Sequence, residues 1–252
     1  MKCLAVLVLF FSVAVLQAQP LIHAHNDYKR HEPLYNALRN KVFSIEVDIF
    51  LVGNRLLVAH DTAELATAST LDSFYLQPII KLFSQHKGRI SEDTAYTPIL
   101  MIDIKGSRSL SGAEPVLAAL IKLLSAHPSV FDRSVNAKAV QIVISGERGP
   151  SFKWSTYPSY ILFDGRPNEP YDNAKLQRIA FISDSWVPYS LSPNDDHERL
   201  KEVIDKVHKL GKRIRFWAIP DNPESWKLQK ELGIDIIHTD KVAACREYFL
   251  QR

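Results

Sequence analysis

The sequence predicts an α/β protein built as a (β/α)8 TIM barrel, with a small hairpin extension after strand 2. Three observations carry the prediction. Short apolar runs alternate with longer amphipathic ones along the chain, giving about eight strands, most of them followed by a helical segment. The 252 residues, less a leader, suit one large domain of the size such barrels often occupy. The chemically unusual side chains sit at or just inside the ends of the short apolar runs, as if strands delivered them to one polar site. A doubly wound open sheet would usually place a glycine-rich phosphate loop after its first strand, and His25-Asn26-Asp27 is nothing like one.

In order, residues 1–18 read as a secretory signal peptide: Lys2, an apolar stretch from Leu4 to Leu16, then a small residue at Ala18 before the expected cut. The stretch is short for a membrane span, which needs roughly 20 apolar residues. Residues 19–252 form the expected single domain. Pro20 to His25 is the first strand, and Glu32 to Asn40 has helical spacing with Leu34 and Leu38 on one face. Phe43 to Val52 is strongly β-like, and Gly53-Asn54 turns it into Arg55 to His60 as a hairpin. Leu71 to His86 is a helix, Pro98 to Ile104 a buried strand, Glu114 to Ala126 a helix and Val140 to Ser145 a strand. Tyr160 to Asp164 and Ala180 to Ser183 are strands flanking a weak helix, Asn173 to Arg178. Asp196 to Leu210 is an amphipathic helix stopped by Gly211; Arg213 to Ile219 is a strand; Pro223 to Leu232 is a helix stopped by Gly233. Asp235 to Thr239 is the last strand and Lys241 to Leu250 the last helix.

Composition excludes more than it selects. Cys3 would leave with the leader, so Cys245 would stand alone and an exported chain would have no internal disulfide. The formal charge of +3 is too mild to argue for nucleic acid or an anionic membrane, and no like-charge block or aromatic–basic stripe appears. The expected state is an exported monomer, periplasmic or secreted, with no nucleic-acid partner and no stable membrane insertion.

Side chains at i and i+2 of a strand share a face. His23 and His25 therefore face one way; so do Glu46 and Asp48, with Ile45, Val47 and Ile49 on the other side, and Asp103 and Lys105 repeat the pattern. An inward strand with two carboxylates must compensate them, because unpaired buried charge is costly. A hard divalent cation, Mg²⁺ or Ca²⁺, is the simplest compensation. An edge strand with one solvated face is the plain alternative for Glu46 and Asp48, and a salt-bridged strand end is the alternative for Asp103 and Lys105. His60 ends its run as His25 ends its own, which pairs the two histidines.

The order His25-x-x, Glu46-x-Asp48, His60-Asp61, Asp103-x-Lys105 resembles the glycerophosphodiester phosphodiesterase superfamily, which includes phosphatidylinositol-specific phospholipase C-like barrels. Arg215-Phe-Trp-Ala-Ile-Pro-Asp221 and Gly233-Ile-Asp-Ile-Ile-His-Thr-Asp240 are similar to its late strands. Ala24-His-Asn-Asp-Tyr28, Leu71-Asp-Ser-Phe-Tyr-Leu-Gln-Pro78 and the late Trp-x-x-Pro-Asp look closer still to the branch of the fungal altered-inheritance-of-mitochondria protein six. The resemblance implies His25 and His60 as catalytic, Glu46, Asp48 and Asp103 as metal ligands, and Lys105 and Trp217 at the substrate. The usual His-Arg-Gly is His-Asn-Asp here, so the arginine beside the phosphate is missing and Asn26 is a candidate contact in its place.

These residues suit metal-dependent hydrolysis of a glycerophosphodiester or related lysophospholipid-like substrate by His/His acid–base catalysis. By resemblance, attack by a neighbouring substrate hydroxyl would give a cyclic product. His23-Ala24-His25 also fits a zinc amidohydrolase with Asp240 as its late aspartate, but no histidine lies between His127 and His197 to serve the middle strands. A non-catalytic phosphate- or sugar-binding barrel would not need both histidines.

Overall fold

The computed structural model describes residues 19–106, 112–190 and 197–251. The expected signal peptide, residues 1–18, lies outside the described residues. Among the described residues, nine strands form one sheet: β1 (Leu21–Ala24), β2 (Ser44–Val52), β3 (Arg55–Val58), β4 (Ile99–Ile104), β5 (Gln141–Gly146), β6 (Ile161–Gly165), β7 (Ile179–Ser185), β8 (Ile214–Trp217) and β9 (Ile236–Thr239). Their order is β1-β9-β8-β7-β6-β5-β4-β2-β3, and β1 also pairs with β2. Eight parallel strands thus close a barrel, the (β/α)8 barrel that the sequence predicts. β3 pairs antiparallel with β2 as the hairpin extension, and its Leu57 makes one isolated bridge to Thr70.

The outer helices are α1 (Tyr35–Arg39), α2 (Gln77–Gln85), α3 (Glu114–Ser125), α4 (Pro128–Phe131), α5 (Asn173–Gln177), α6 (Val187–Ser190), α7 (His197–Lys209), α8 (Pro223–Glu231) and α9 (Val242–Leu250). Asn222 caps α8, its side chain accepting from Ser225 N–H at 2.9 Å, with Pro223 beginning the helix. Among the described residues, no helix is long and apolar enough to cross a membrane.

Two cores follow from strand alternation. Outward residues such as Ile45, Val47 and Ile49 join the large core under the helices. Inward residues Ile99, Met101, Val143, Phe181 and Ile236 form a separate plug inside the barrel. Above that plug the inward positions become polar: His23, Glu46, Asp48, Asp164, Ser183, Arg215 and His238 are all buried. The apolar plug closes one end of the barrel and leaves the C-terminal mouth to the polar residues.

The segment after β1 departs from its sequence reading. Helix α1 begins at Tyr35, not Glu32, because Glu32 and Leu34 have left-handed φ values of 56° and 64°. Pro33 disfavours helix at Glu32. The buried Asp27 carboxylate then accepts from Leu34 N–H at 2.6 Å and Tyr75 OH at 2.7 Å, pinning the loop.

Candidate active site

Strand ends bring the predicted carboxylates together. Glu46 and Asp48 rise from β2 and Asp103 from the neighbouring β4, with Asp48 and Asp103 in register. One ligand oxygen from each lies within 4.8 Å of the others. The Asp48 Oδ2 atom takes three donors: Tyr28 OH at 2.9 Å, His60 Nδ1 at 2.8 Å and Lys105 Nζ at 3.3 Å. Its Oδ1 is buried with no hydrogen-bond partner among the described residues, and so is Asp103 Oδ1. Lys105 Nζ stands 3.4 Å from Asp103 Oδ2. Burial, and next the Glu46 charge, push the Asp103 pKa up to about 7, with Lys105 working the other way. Burial opposes the charge on Lys105, but Asp103 and Asp48 hold its pKa above the ordinary lysine value.

This donor set fits a hard divalent cation. Three carboxylates face one point, and two of their oxygens are orphaned in the interior, where an unsatisfied acceptor is costly. Gly146 at the end of β5 clears the space beside them. Its φ is +65°, and a Cβ there would strike Asp103 Oδ1 and the Ile104 carbonyl oxygen.

Each predicted histidine is held through Nδ1 by a carboxylate. His25 Nδ1 lies 2.9 Å from Asp240 Oδ1, which also accepts from Arg30 Nη2 at 2.9 Å. His60 Nδ1 lies on Asp48, and its side chain is 46% exposed. Among the described residues, Nε2 of neither ring has a hydrogen-bond partner. His23 is different. It is fully buried, with Nδ1 2.6 Å from Ser44 Oγ and Nε2 2.6 Å from Glu46 Oε2. Burial first, and Arg215 next, lower its pKa to about 4, so the ring is neutral. Arg215 Nη1 also lies 2.6 Å from His23 Nε2, and a neutral ring nitrogen either donates to Glu46 or accepts from Arg215, not both.

A cavity of about 430 Å³ opens beside the carboxylates, lined among others by His25, Lys105, Arg166, Arg215, Trp217 and His238. Trp217 is 41% exposed at its rim. The candidate contact Asn26 does not line it. Asn26 has a left-handed φ of 44°, and its Oδ1 lies 3.3 Å from Tyr28 OH. A second cavity of about 310 Å³ shares His25, Trp217 and His238 and adds Asp221 and Asp240.

Sequence reasoning overlooked Arg215, Arg166, Tyr28 and the pairing of Asp240 with His25. Three of them carried a readable signal. Arg215 precedes Trp217 by two positions, Arg166 follows Asp164 by two, and Asp240 follows His238 by two, so each shares an inward face with its neighbour. Asp164 and Asp184, which also lie at strand ends, are not among the residues lining this cavity. Asp164 is buried and satisfied by Ser145, Ser183, Arg166 and Arg215, and Asp184 accepts from Tyr189 OH. The cluster that could hold a metal among the described residues is made of carboxylates alone, a donor set suited to Mg²⁺ or Ca²⁺ rather than the histidine-rich set a zinc site favours.

Residues 13–147 match the AIM6-like phosphodiesterase domain. Altered inheritance of mitochondria protein 6 of Kluyveromyces lactis is 39% identical over 293 residues, spanning 88% of this chain and 70% of that protein. The chain belongs to the AIM6-like phosphodiesterase family. A glycerophosphodiester phosphodiesterase from Parabacteroides distasonis superposes with a TM-score of 0.64 at 13% identity, covering 93% of this chain and 99% of that one. A phosphodiesterase from Oleispira antarctica, solved with the product sn-glycerol-3-phosphate, superposes with a TM-score of 0.57 at 13% identity, covering 91% and 96%. At such identities the likeness establishes the barrel fold. This AIM6-like domain thus combines a phosphodiesterase-type barrel with an acidic cluster suited to a divalent cation.

Proposed function

We propose that the chain is a metal-dependent phosphodiester hydrolase acting on a small glycerophosphodiester or lysophospholipid-like substrate. The observation that carries this reading is the arrangement of two histidines, each oriented through Nδ1 by its own carboxylate, around three convergent acids. A binding protein for an anion would have no use for both an acid and a base.

Glu46, Asp48 and Asp103 would hold one Mg²⁺ or Ca²⁺, which when bound supplies Lewis-acid neutralisation of the phosphoryl oxygens. Lys105 meets the charge that gathers on those oxygens in the transition state. His25 Nε2 takes the proton of the attacking hydroxyl, from a neighbouring substrate alcohol or water, as the new P–O bond forms. Protonated His60 gives its Nε2 proton to the leaving oxygen as the old P–O bond breaks. Asp240 and Asp48 hold the rings in the tautomer that leaves Nε2 towards substrate. Trp217 offers an aromatic wall to the esterified alcohol.

The chain would work as an exported monomer. A direct test compares wild type, His25→Ala and His60→Ala on sn-glycero-3-phosphocholine with Mg²⁺ or Ca²⁺ present. Turnover should fall on the order of 10²–10⁴-fold in each variant with folding retained. Near-normal turnover in either removes that histidine from the chemistry.

A further inference from the structure

Position 26, after His25, is asparagine, so a guanidinium for a phosphate in the proposed reaction would have to come from elsewhere in the site. Two arginines line the cavity beside the carboxylates, Arg166 and Arg215. Arg215 is committed: Nε donates to Ser183 Oγ at 3.0 Å, Nη1 lies 3.2 Å from Glu46 and Nη2 3.5 Å from Asp164. Only 3% of its surface is exposed.

Arg166 is built differently. All its side-chain hydrogen bonds leave from Nη1, to Asp164 Oδ2 at 2.8 Å, the Gly165 carbonyl at 2.8 Å and the Asp164 carbonyl at 3.4 Å. Among the described residues, Nε and Nη2 make none, and neither is a sealed interior atom. One guanidinium edge is thus anchored and the other is open to the cavity it lines. Its backbone is fixed as well. Arg166 N–H donates to Tyr171 Oη at 2.6 Å, and the Arg166 carbonyl lies 3.0 Å from the same hydroxyl. Gly165 makes room for that contact, since a Cβ there would come within 2.9 Å of Tyr171 Oη. Glu169, in the loop after β6, is occupied by Arg148, whose Nη2 and Nη1 approach its carboxylate at 2.6 and 3.1 Å.

We infer that Arg166 is the phosphate-binding arginine of this site, its open edge taking a non-bridging oxygen of the phosphodiester opposite Lys105. Lys105 follows β4 and Arg166 follows β6, two strands round the barrel mouth, roughly 10 Å apart at the backbone, which both side chains can span. A phosphodiester has two non-bridging oxygens, one for each cation. The guanidinium is suited to the task, because it is always charged and presents donors in a fixed plane. Delivery from β6 instead of the loop after β1 leaves that loop free to place Tyr28 against Asp48.

The inference rests on the proposed phosphodiesterase reading, so its test has a readout besides turnover. Binding of sn-glycerol-3-phosphate is measured by calorimetry on the full chain with Mg²⁺ or Ca²⁺ present, for wild type, Arg166→Gln and Arg166→Lys, with thermal melting as the folding control. Asp164 keeps Ser145, Ser183 and Arg215 in both variants. Loss of a charge-assisted hydrogen bond predicts binding weaker by roughly tenfold to a hundredfold in Arg166→Gln, with an intermediate loss in Arg166→Lys. In turnover, KM should rise more than kcat falls. With single-sulfur phosphorothioate diesters, the wild-type preference between the two diastereomers should shrink in Arg166→Gln, which a purely structural role would not produce. Unchanged binding in a folded Arg166→Gln protein overturns the assignment of Arg166 and leaves the phosphodiesterase reading intact. Failure of wild type both to bind the probe and to hydrolyse any diester overturns that reading and, with it, the inference.

Discussion

Asp103 makes cation binding dependent on pH in a way that can be worked out in advance. Without a cation its carboxyl titrates at about 7, against 3.8 ordinarily, because it is buried beside Glu46. A protonated carboxyl does not ligate, so a cation must displace a proton below about pH 7 and need not above it. Affinity should therefore rise tenfold for each pH unit from 5 to 7, about 1.4 kcal/mol per unit, and level off beyond. Over that range the cation-induced stabilisation should grow by roughly 2.7 kcal/mol, which for a chain of this size is a Tm shift larger by about 5–11 °C.

The sign for the cation-free protein follows from the same carboxyl. Its folded pKa lies above its unfolded value, so the folded state binds more protons and stability falls as pH rises from about 4 to about 7. His23, lowered to about 4, works oppositely, adding stability as pH rises towards 6.5. That contribution is common to both forms and cancels when melts with and without cation are subtracted. The assay is differential scanning fluorimetry on EDTA-treated protein, with and without saturating Mg²⁺ or Ca²⁺, from pH 5 to 8. Asp103→Asn should weaken the dependence, leaving only what the Asp48 carboxyl, also raised by burial, contributes. An equal cation shift at pH 5.5 and pH 8, or a dependence undiminished in Asp103→Asn, refutes the reasoning.

Other outcomes are expected. Gly146→Ala should destabilise by roughly 1–2 kcal/mol through its left-handed backbone and should blunt the cation response, because the added methyl meets Asp103 Oδ1; an undiminished response would contradict that contact. Asp240→Asn should lower turnover about a hundredfold at unchanged Tm, since His25 loses its orienting acceptor, and unaltered kinetics would rule the pair out. If residues 1–18 are an export signal, the mature protein begins near Gln19 by mass spectrometry; an intact cytosolic N-terminus would refute export.

Strands were legible where inside and outside differ chemically. β2 reads cleanly because Ile45, Val47 and Ile49 face the helices while Glu46 and Asp48 face the barrel. The acidic cluster was legible for the same reason, since two strands each presented acids at alternate positions. Structure decided by contacts distant in sequence was not. Leu34 looked helical, but Asp27 holds its N–H, with Tyr75 as the second anchor. Leu71 to His86 reads as one helix and the chain is helical through Gln85, but the π turn at Asp72–Leu76 within it leaves no mark in the apolar spacing. The four-residue α4 and α6, and a 3₁₀ turn at Ser151–Thr156, are too short to show a helical period. Arg166 gave no sign of its open edge, which depends on Tyr171 holding its backbone and Asp164 holding Nη1.

The most direct measurement is ³¹P NMR of sn-glycero-3-phosphocholine, related glycerophosphodiesters and lysophospholipids incubated with the protein before and after EDTA treatment. Conversion of at least one diester to a phosphomonoester or cyclic phosphate is expected, ceasing on chelation and returning with Mg²⁺ or Ca²⁺. Hydrolysis that continues unchanged after thorough chelation, or its absence for every diester in the presence of cation, would contradict a metal-dependent phosphodiesterase.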